Sequence, residues 1–484
     1  MTPLGRRATI WTFVVTSVAA FMVSLDNLVV TMALPSIRHD LHAGLSGLEW
    51  TVNAYTLTFA VFLLTAASLG DRFGRRRVFT IGLAVFTLAS AGAALAPNIQ
   101  ILIAARAIQG LGAATVLPLS MTILSAAVPA ARRGAALGIW GAVSGLGVAV
   151  GPLVGGAVVD GAAWQWIFWL NVPVGLLILP AAWRRLAESR GAARRLDVPG
   201  VALASAGLFG IVFGVVRGNS HGWTSASVLG SVIGGAVLLA AFVAFERRTP
   251  QPMLPLRLFA NRTFAAVNAA SLLFSFGMFG SVFLLAQFMQ TVQGYSPFEA
   301  GLRTLPWTGM PLLLAPIAGP LADRIGGRPL IATGLALQAV GLAWLALVTT
   351  TTVSYLALVP GFVLAGIGMS LFFVPVGTVV LGAVRPVEQG VASGANNAIR
   401  EIGGVFGVAV LASVFAARGG YASPQSFVDG LIPAVAVGAG VVAIGAAAAL
   451  LIRRRSDVTV PAGSEPAEVL QQTEAPQTEP ATVG

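Results

Sequence analysis

The stretch LGDRFGRRR at residues 69–77 returns far downstream as LADRIGGRP at residues 321–329. Every residue that the two copies share is repeated 252 positions later. The shared residues are Leu69, Asp71, Arg72, Gly74 and Arg76, matched by Leu321, Asp323, Arg324, Gly326 and Arg328. The same offset carries Gly151 to Gly403 and Gly155 to Gly407. We therefore predict two parallel halves around a central pathway, with a site near the midplane between them.

The chain around this repeat is too apolar for a soluble protein. Of its 484 residues, 56% are hydrophobic and only 10% are charged, and the mean hydropathy is +0.85. Apolar runs of about 20 residues, the length that crosses a bilayer, recur throughout. We predict an all-α polytopic membrane protein. Its first apolar run is too long for a signal peptide and is retained as a span.

Fourteen spans are predicted, in a 6+2+6 arrangement. They are placed at residues 9–35, 48–69, 78–96, 99–128, 135–158, 165–183, 198–216, 228–245, 264–289, 300–320, 329–348, 354–378, 391–416 and 430–452. The N-terminal six-helix half then covers residues 1–183, a linker with two extra spans covers 184–263, and the C-terminal half covers 264–452. The polar segment 453–484 is expected to be a disordered cytoplasmic tail.

The arginines predict the orientation of these spans. Of the 29 basic residues, all arginine, 23 fall in connections on the side of the two termini. Four lie on the opposite side, and Arg106 and Arg400 lie within spans. Because cytoplasmic loops are enriched in positive charge, both termini are predicted to be cytoplasmic. The net charge of +11 thus reflects membrane topology, and we expect no nucleic-acid partner.

The sequence offers little for metal, cofactor or enzyme chemistry. It contains no cysteine, and its three histidines, His39, His42 and His221, fall in short polar connections. We interpret them as solvated loop residues rather than as a metal site. No loop is long enough for a catalytic domain, and no nucleophile–histidine cluster is apparent, so we expect no enzyme and no cofactor.

The repeated loop has a chemical interpretation beyond its charge. Asp71 can accept hydrogen bonds from the amides at a helix N-terminus, and the arginines can anchor to lipid headgroups or to a facing carboxylate. An ordinary positively charged loop would explain the arginines but not the duplicated order of residues. We therefore interpret both copies as conformational latches.

The motifs together resemble the major facilitator superfamily, and within it the fourteen-span drug:proton antiporter branch (EmrB/QacA subfamily). Besides the loop, the resemblance rests on LDNLVVTMALPSI at 25–37, RAIQGLGAA at 106–114, WQWIFWLNVPVG at 164–175 and GYSPFEAGLRTLP at 294–306. It also rests on a fifth-span motif associated with antiporters, formed by Gly147, Gly151, Pro152, Gly155 and Gly156.

The resemblance implies a multi-pass plasma-membrane protein that works by alternating access. It would export drugs, antibiotics or related small amphipathic molecules, driven by the proton gradient. Its partners would be the lipid bilayer, a small-molecule substrate and protons, and we expect a monomer. Uptake of a small metabolite by proton symport on the same scaffold is the alternative.

Two charged residues inside spans are the first candidates for proton coupling. Asp26 lies nine residues from the outer end of span 1, and Arg106 lies about seven residues from the outer end of span 4. At about 1.5 Å per residue these depths nearly coincide, so a pair is expected. At the repeat offset stand Met278 and Leu358, which suggests that the charges serve coupling rather than folding. A contact between Asp26 and a cationic substrate, or a static ion pair, is the alternative.

Further polar and aromatic residues are candidates for the pathway. Glu401 in span 13 is interpreted either as a second protonation site or as a group that reaches water at the cytoplasmic end. Asn397 lies four residues before it on the same helix face. The candidate cavity residues are Asn53, Tyr55, Gln109, Phe279, Gln287, Trp307 and Asn397. Gly147, Gly151 and Gly155 should form a smooth stripe on one face of span 5, widened by Gly156, and Pro152 adds a bend.

Overall fold

The computed structural model describes residues 6–190, 197–250, 252–385 and 388–453, and within these ranges the regular structure is entirely helical. The predicted tail, 453–484, lies outside the described residues apart from Arg453. The first helices are α1 (Arg6–Asp40), α2 (Leu45–Phe73), α3 (Arg75–Ala94), α4 (Ile99–Ala127), α5 (Ala130–Gly161), α6 (Trp166–Trp169) and α7 (Asn171–Arg185). Two more follow, α8 (Val198–His221) and α9 (Ala226–Arg248).

A 3-10 helix, Leu256–Ala260, leads into the remaining helices. These are α10 (Arg262–Thr291), α11 (Pro297–Thr308), α12 (Met310–Ile325), α13 (Gly327–Val348), α14 (Tyr355–Gly382), α15 (Gln389–Arg418) and α16 (Pro424–Ala449). Among the described residues, twelve stretches are long and apolar enough to cross a membrane, with α6 and α7 counted together. Two bent pairs, within α2 and across α11 and α12, bring the number to the fourteen predicted when each is one span.

The sequence repeat is also a structural repeat. α2 covers residues 45–73, and α11 and α12 together cover 297–325, which is the same range shifted by 252. Both are bent, by 51° and 54°. The helix pairs α1–α5 and α3–α4 pack against each other, and α10–α15 and α13–α14 repeat that packing. The resulting two-fold architecture confirms the predicted fold class.

The two groups of helices meet along two seams. α2 packs against α15, and α5 packs against α11. α8 and α9 pack on each other, and α8 lies against both α2 and α15 at the first seam. We call the end of the bundle where α1 begins the near end, and the end where α1 stops, at Asp40, the far end.

Contacts between the two groups are well developed at the far end. The Arg38 guanidinium lies 3.7 Å from the ring centre of Tyr421. The Gln290 amide donates to the carbonyl of Met32 at 3.1 Å, and the Ser296 hydroxyl donates to Asp160 at 3.0 Å. Towards the near end α5 is less closely packed, since a Cβ added at Gly138, Gly141 or Gly145 would have no atom of the described residues within 4 Å.

Candidate functional site

Asp26 and Arg106 form a buried ion pair in the interior of the first seven helices. Arg106 Nη1 donates to Asp26 Oδ2 at 2.6 Å, and neither residue is measurably exposed. The two side chains come from α1 and α4, as their matching depths predicted. A desolvated charge is costly in a bilayer, so such pairs persist where both members are also hydrogen-bonded.

Both members of the pair have further partners. The side-chain amides of Gln109 and Asn171 donate to the second oxygen of Asp26 at 2.9 and 2.8 Å. Gln109 also accepts from Arg106 Nη1 at 2.8 Å and donates to the hydroxyl of Ser90 at 2.8 Å. The carboxylate thus holds three hydrogen bonds from two further helices, α4 and α7, with Ser90 of α3 behind them.

Helix α2 completes the surroundings of Arg106. Arg106 Nε donates to the Thr51 carbonyl at 3.1 Å, and its guanidinium lies 4.2 Å from the ring centre of Tyr55. Tyr55 is buried and stacks on Phe59 with ring centres 6.3 Å apart. Five helices therefore converge on one ion pair. Sequence reasoning identified Asp26, Arg106, Gln109 and Tyr55, but it missed Ser90, Asn171 and the carbonyl of Thr51.

Glu401 lies on α15, at the seam between the two groups of helices. It is buried, and its nearest cation is Arg400 at 3.5 Å. One of its oxygens has no hydrogen-bond partner among the described residues. The side chain of Asn27 lies beside it. In this conformation the Glu401 side chain is buried, and its role as a second protonation site stays a prediction.

Helix α1 connects the ion pair to the seam. Adjacent helical residues project about 100° apart, so Asp26 faces into the first seven helices while Asn27 faces α15. Tyr55 lies within electrostatic range of Asp26 and of Glu401. Asp26 and Glu401 therefore lie on either side of α1, with Tyr55 near both.

The other cavity candidates are dispersed through the bundle. Asn53 is fully buried on α2, and neither of its amide atoms has a partner among the described residues. Gln287 is bonded to the Tyr421 hydroxyl near the far end, and Trp307 is buried with its ring centre 6.2 Å from that of Phe362. Phe279 lies against Gly404, and Asn397 is half-buried.

The fifth-span glycines make close contacts with α1 and α11. A methyl group added at Gly147 or Gly155 would lie 2.7 Å from the Phe21 carbonyl oxygen or 2.5 Å from that of Val29. One added at Gly151 would lie 3.2 Å from Leu28 Cβ. Gly156 and Pro152 instead meet the backbone of α11, at Pro297 and Gly301. The stripe therefore packs on α1, and its edge forms part of the second seam.

The first copy of the repeated loop is organised by a carboxylate that we did not single out. Glu188 accepts from the backbone amide of Arg76 at 3.0 Å, and its second oxygen lies 3.7 Å from Arg76 Nε. Asp71 pairs instead with Arg75 at 2.7 Å. The amide at the start of α3 is therefore bonded to Glu188 and not to Asp71, which we expected as the acceptor. Glu188 is also a facing carboxylate for an arginine, as expected. Arg72 is exposed.

The second copy shares the backbone geometry of the first. Gly74 and Gly326, which separate the two helices of each loop, have φ values of 108° and 86°. These values fall in the region that favours glycine, which explains why both copies carry it. Arg324 is exposed and Arg328 is half-buried, while the side chain of Asp323 lies outside the described part of the chain.

The histidines lie away from the ion pair. His39 is exposed and hydrogen-bonded to Asp40, and His221 is exposed and hydrogen-bonded to Ser220. His42 occupies the turn between α1 and α2 with φ 48°. Among the described residues, no group of three His, Asp or Glu side chains is arranged to hold a metal ion.

Comparison with known proteins places this geometry in context. The family model described as the Major Facilitator Superfamily matches residues 16–310 and 267–478. The chain is 40% identical over 414 residues to the multidrug resistance protein Stp of Mycobacterium tuberculosis, covering 85% of this chain and 77% of Stp. It is 34% identical over 436 residues to the tetracenomycin C resistance and export protein of Streptomyces glaucescens, covering 89% and 80%.

A solved structure shares the fold at low sequence identity. The bacterial homologue of the human lysosomal transporter Spinster, in an inward-facing and unoccupied conformation, superposes with a TM-score of 0.67. The match covers 93% of this chain and 98% of that protein, at 16% identity.

Proposed function

The chain belongs to the major facilitator superfamily, and we propose that it exports small amphipathic molecules, antibiotics among them, in exchange for protons. As a multi-pass protein of the plasma membrane, it would work as a monomer driven by the proton gradient, without a cofactor. The relatives named for multidrug resistance and for tetracenomycin C resistance and export support the direction of transport. Proton symport of a small metabolite remains the second candidate on this scaffold.

The observation that carries the proton coupling is the buried ion pair. Asp26 is fully buried, and its charge is balanced by Arg106 and by two side-chain amides. Proton binding to Asp26 would remove that balance, because a neutral carboxyl group no longer pairs with the guanidinium. Arg106 would then be held by Gln109, the Thr51 carbonyl and the ring of Tyr55. Loading a proton would therefore shift α1 relative to α2 and α4.

Glu401 would be the second group in this coupling. Because Asn27 follows Asp26 on α1 and lies beside Glu401, movement of α1 changes the environment of both carboxylates. We propose that the substrate path is lined by the buried side-chain amide of Asn53, by Asn397 of α15 and by Phe279 of α10. Gln287 and Trp307 are proposed to bound it on the side of α10 and α11.

The remaining motifs are proposed to serve the conformational change. The Gly147, Gly151 and Gly155 stripe is a surface on which α5 and α1 slide, and Pro152 with Gly156 forms the part that opens at the α11 seam. The two loop copies act as latches at the near end. We place the near end in the cytoplasm on the arginine distribution, with the halves divided as 1–183 and 264–452 around the linker at 184–263.

Accumulation measurements distinguish export from import. Cells that express the protein should accumulate less ethidium or tetracenomycin C than cells with an empty vector, and a protonophore should abolish the difference. In everted vesicles, a pH gradient with an acidic lumen should drive the same probes inward. Higher accumulation in expressing cells would favour the symport reading, and an unchanged difference with the protonophore would contradict proton coupling.

A further inference from the structure

A further buried carboxylate lies near the far end, on the face of α2 that meets α15. Glu49 is only 3% exposed, and its Oε2 atom has no hydrogen-bond partner among the described residues. No ion pair in the described part of the chain includes it. An ionised carboxylate buried without a partner is strongly disfavoured, so such a group holds a proton.

The position of Glu49 links it to both groups of helices. Asn53 follows it by one helical turn and is also buried without partners. Leu57, another turn along, belongs to the apolar cluster that contains Val405 and Ala409 of α15. The face of α2 that carries Glu49, Asn53 and Leu57 is therefore the face that closes on the opposite half.

The segment between α15 and α16 covers this region at the far end. It carries Tyr421, whose ring contacts Arg38 of α1 and whose hydroxyl bonds to Gln287 of α10. Burial raises the pKa of the Tyr421 hydroxyl above its usual value. The Arg38 guanidinium lowers that pKa, and Glu49 is near enough to the hydroxyl to raise it when ionised. Tyr421 thus lies in a desolvated contact between the halves, within electrostatic range of Glu49.

Charged groups on the helices around α2 are engaged elsewhere. On α1, Arg38 stacks on Tyr421, while His39 and Asp40 bond to each other. On α4, Arg106 pairs with Asp26. On α8, Arg217 lies over Phe213 and His221 bonds to Ser220. On α15, Arg418 is exposed and the buried Glu401 lies beside Arg400 at 3.5 Å. α3 carries no charge at its far end.

From this arrangement we propose that Glu49 is a proton-binding site of the seam, which binds a proton when the far end closes and loses it when the far end opens to water. The proposal rests on the proposed function, because it requires that the far end opens. It assigns the outer proton site to a residue distinct from Asp26. Closure would remove water from Glu49 without supplying a cation, so low pH on the far side would favour the closed state.

Because the chain contains no cysteine, labels can be attached to single engineered cysteines on the two sides of the seam. Spin labels at His39→Cys and Gln425→Cys, exposed far-end positions on the two halves, report their separation in purified protein without substrate or gradient. The background carries Asp26→Asn and Glu401→Gln, so that these two buried carboxylates do not titrate. The open-to-closed ratio should rise with pH by up to about tenfold per unit, the limit for one proton. Glu49→Gln should remove that dependence and keep the short distance.

Glu299→Gln is the matched control. Glu299 is also at the far end, but its side chain is half exposed and pairs with Arg303 at 3.6 Å, and glutamine preserves the capping of α11. The open-to-closed ratio of this control should depend on pH as it does in the background alone. If Glu49→Gln keeps the pH dependence, or if the distance is independent of pH before Glu49 is changed, the proposal is overturned.

A second measurement does not require the variant to open and close its far end. At neutral pH the infrared absorption of protonated carboxyl groups should decrease in Glu49→Gln and stay unchanged in Glu299→Gln. An unchanged band in Glu49→Gln contradicts the proposal. Because both measurements omit transport, a titrating seam without export would overturn the proposed function and leave the assignment of Glu49 standing.

Discussion

The interior of the first seven helices and the interior of the last seven differ at the positions that the repeat makes equivalent. Asp26, Arg106 and Ser90 meet in the first, and Met278, Leu358 and Leu342 stand at the same offset in the second, all buried. α1 contacts α4, and α10 contacts α14, so the packing recurs without the charges. The comparison teaches that this fold does not need an ion pair at its centre, which favours a role in coupling.

The largest effect is expected from making the first interior like the second. The double substitution Asp26→Met with Arg106→Leu should abolish export, yet it should unfold at a higher temperature than Asp26→Met or Arg106→Leu alone. Removing one partner of a buried pair costs about 3–5 kcal/mol, because the other charge is left uncompensated, whereas removing both avoids that penalty. Thermal unfolding of the three purified variants tests the order.

The same variants can contradict the inference that the ion pair serves coupling and not folding. A double variant less stable than both single variants would mean that the pair supports the fold of its half. Continued proton-driven export by the double variant would mean that the charges do not couple transport. Either result would mean that the difference between the two interiors does not indicate a role in coupling.

A smaller effect is expected at the glycine stripe, where one helix offers its own control. Gly155→Val should hinder closure on α1, because an added Cβ lies 2.5 Å from the Val29 carbonyl oxygen. Overpacking of this kind costs about 1–3 kcal/mol. Gly145→Val lies on the same helix with nothing within 4 Å and should change stability by about 0.5 kcal/mol or less. Unfolding temperature and export rate are measured for both.

If both valine variants lose export to the same degree, the stripe has no special role and glycine content alone matters. If neither does, the close approach of α5 to α1 is dispensable for transport. Only a loss confined to Gly155→Val supports the sliding surface.

The smallest effect is expected at the near-end loop. Glu188→Gln should loosen residues 70–76 more than Asp71→Asn, because Glu188 bonds the start of α3 whereas Asp71 pairs within one helical turn of Arg75. The Glu188–Arg76 pair is partly exposed at 3.7 Å, so the change in stability should be about 0–1 kcal/mol. Such a change alters a conformational equilibrium by roughly fivefold at most. Hydrogen exchange of the loop checks the order, which a larger effect of Asp71→Asn would reverse.

The sequence was informative where a residue type has few possible roles inside a membrane. Apolar runs predicted the spans, and the rarity of charge inside them singled out Asp26 and Arg106, whose matching depths predicted the pair. Ser90 and Asn171 were missed because a serine or an asparagine in a helix has many roles, and their meeting depends on how five helices pack. Glu188 was missed because a loop carboxylate carries no periodic signal.

Glu49 illustrates the same limit at the edge of a span. It is the second residue of the second predicted span, residues 48–69, where a glutamate is expected to reach water. Its burial follows from the packing of α15 and of the segment around Tyr421, more than 350 residues later in the chain. Glu49 is buried by contacts between segments that are far apart in the sequence, and no local sequence pattern predicts such contacts.

The most direct test of the central claim measures proton movement through Asp26. In everted vesicles with an acidified lumen, addition of tetracenomycin C or ethidium should release luminal protons when the wild-type protein is present, as followed with a pH-sensitive dye. Asp26→Asn, present in the membrane at the wild-type level, should give no release above empty vesicles, while Glu299→Gln should match the wild type. Release by Asp26→Asn at the wild-type rate would contradict the account.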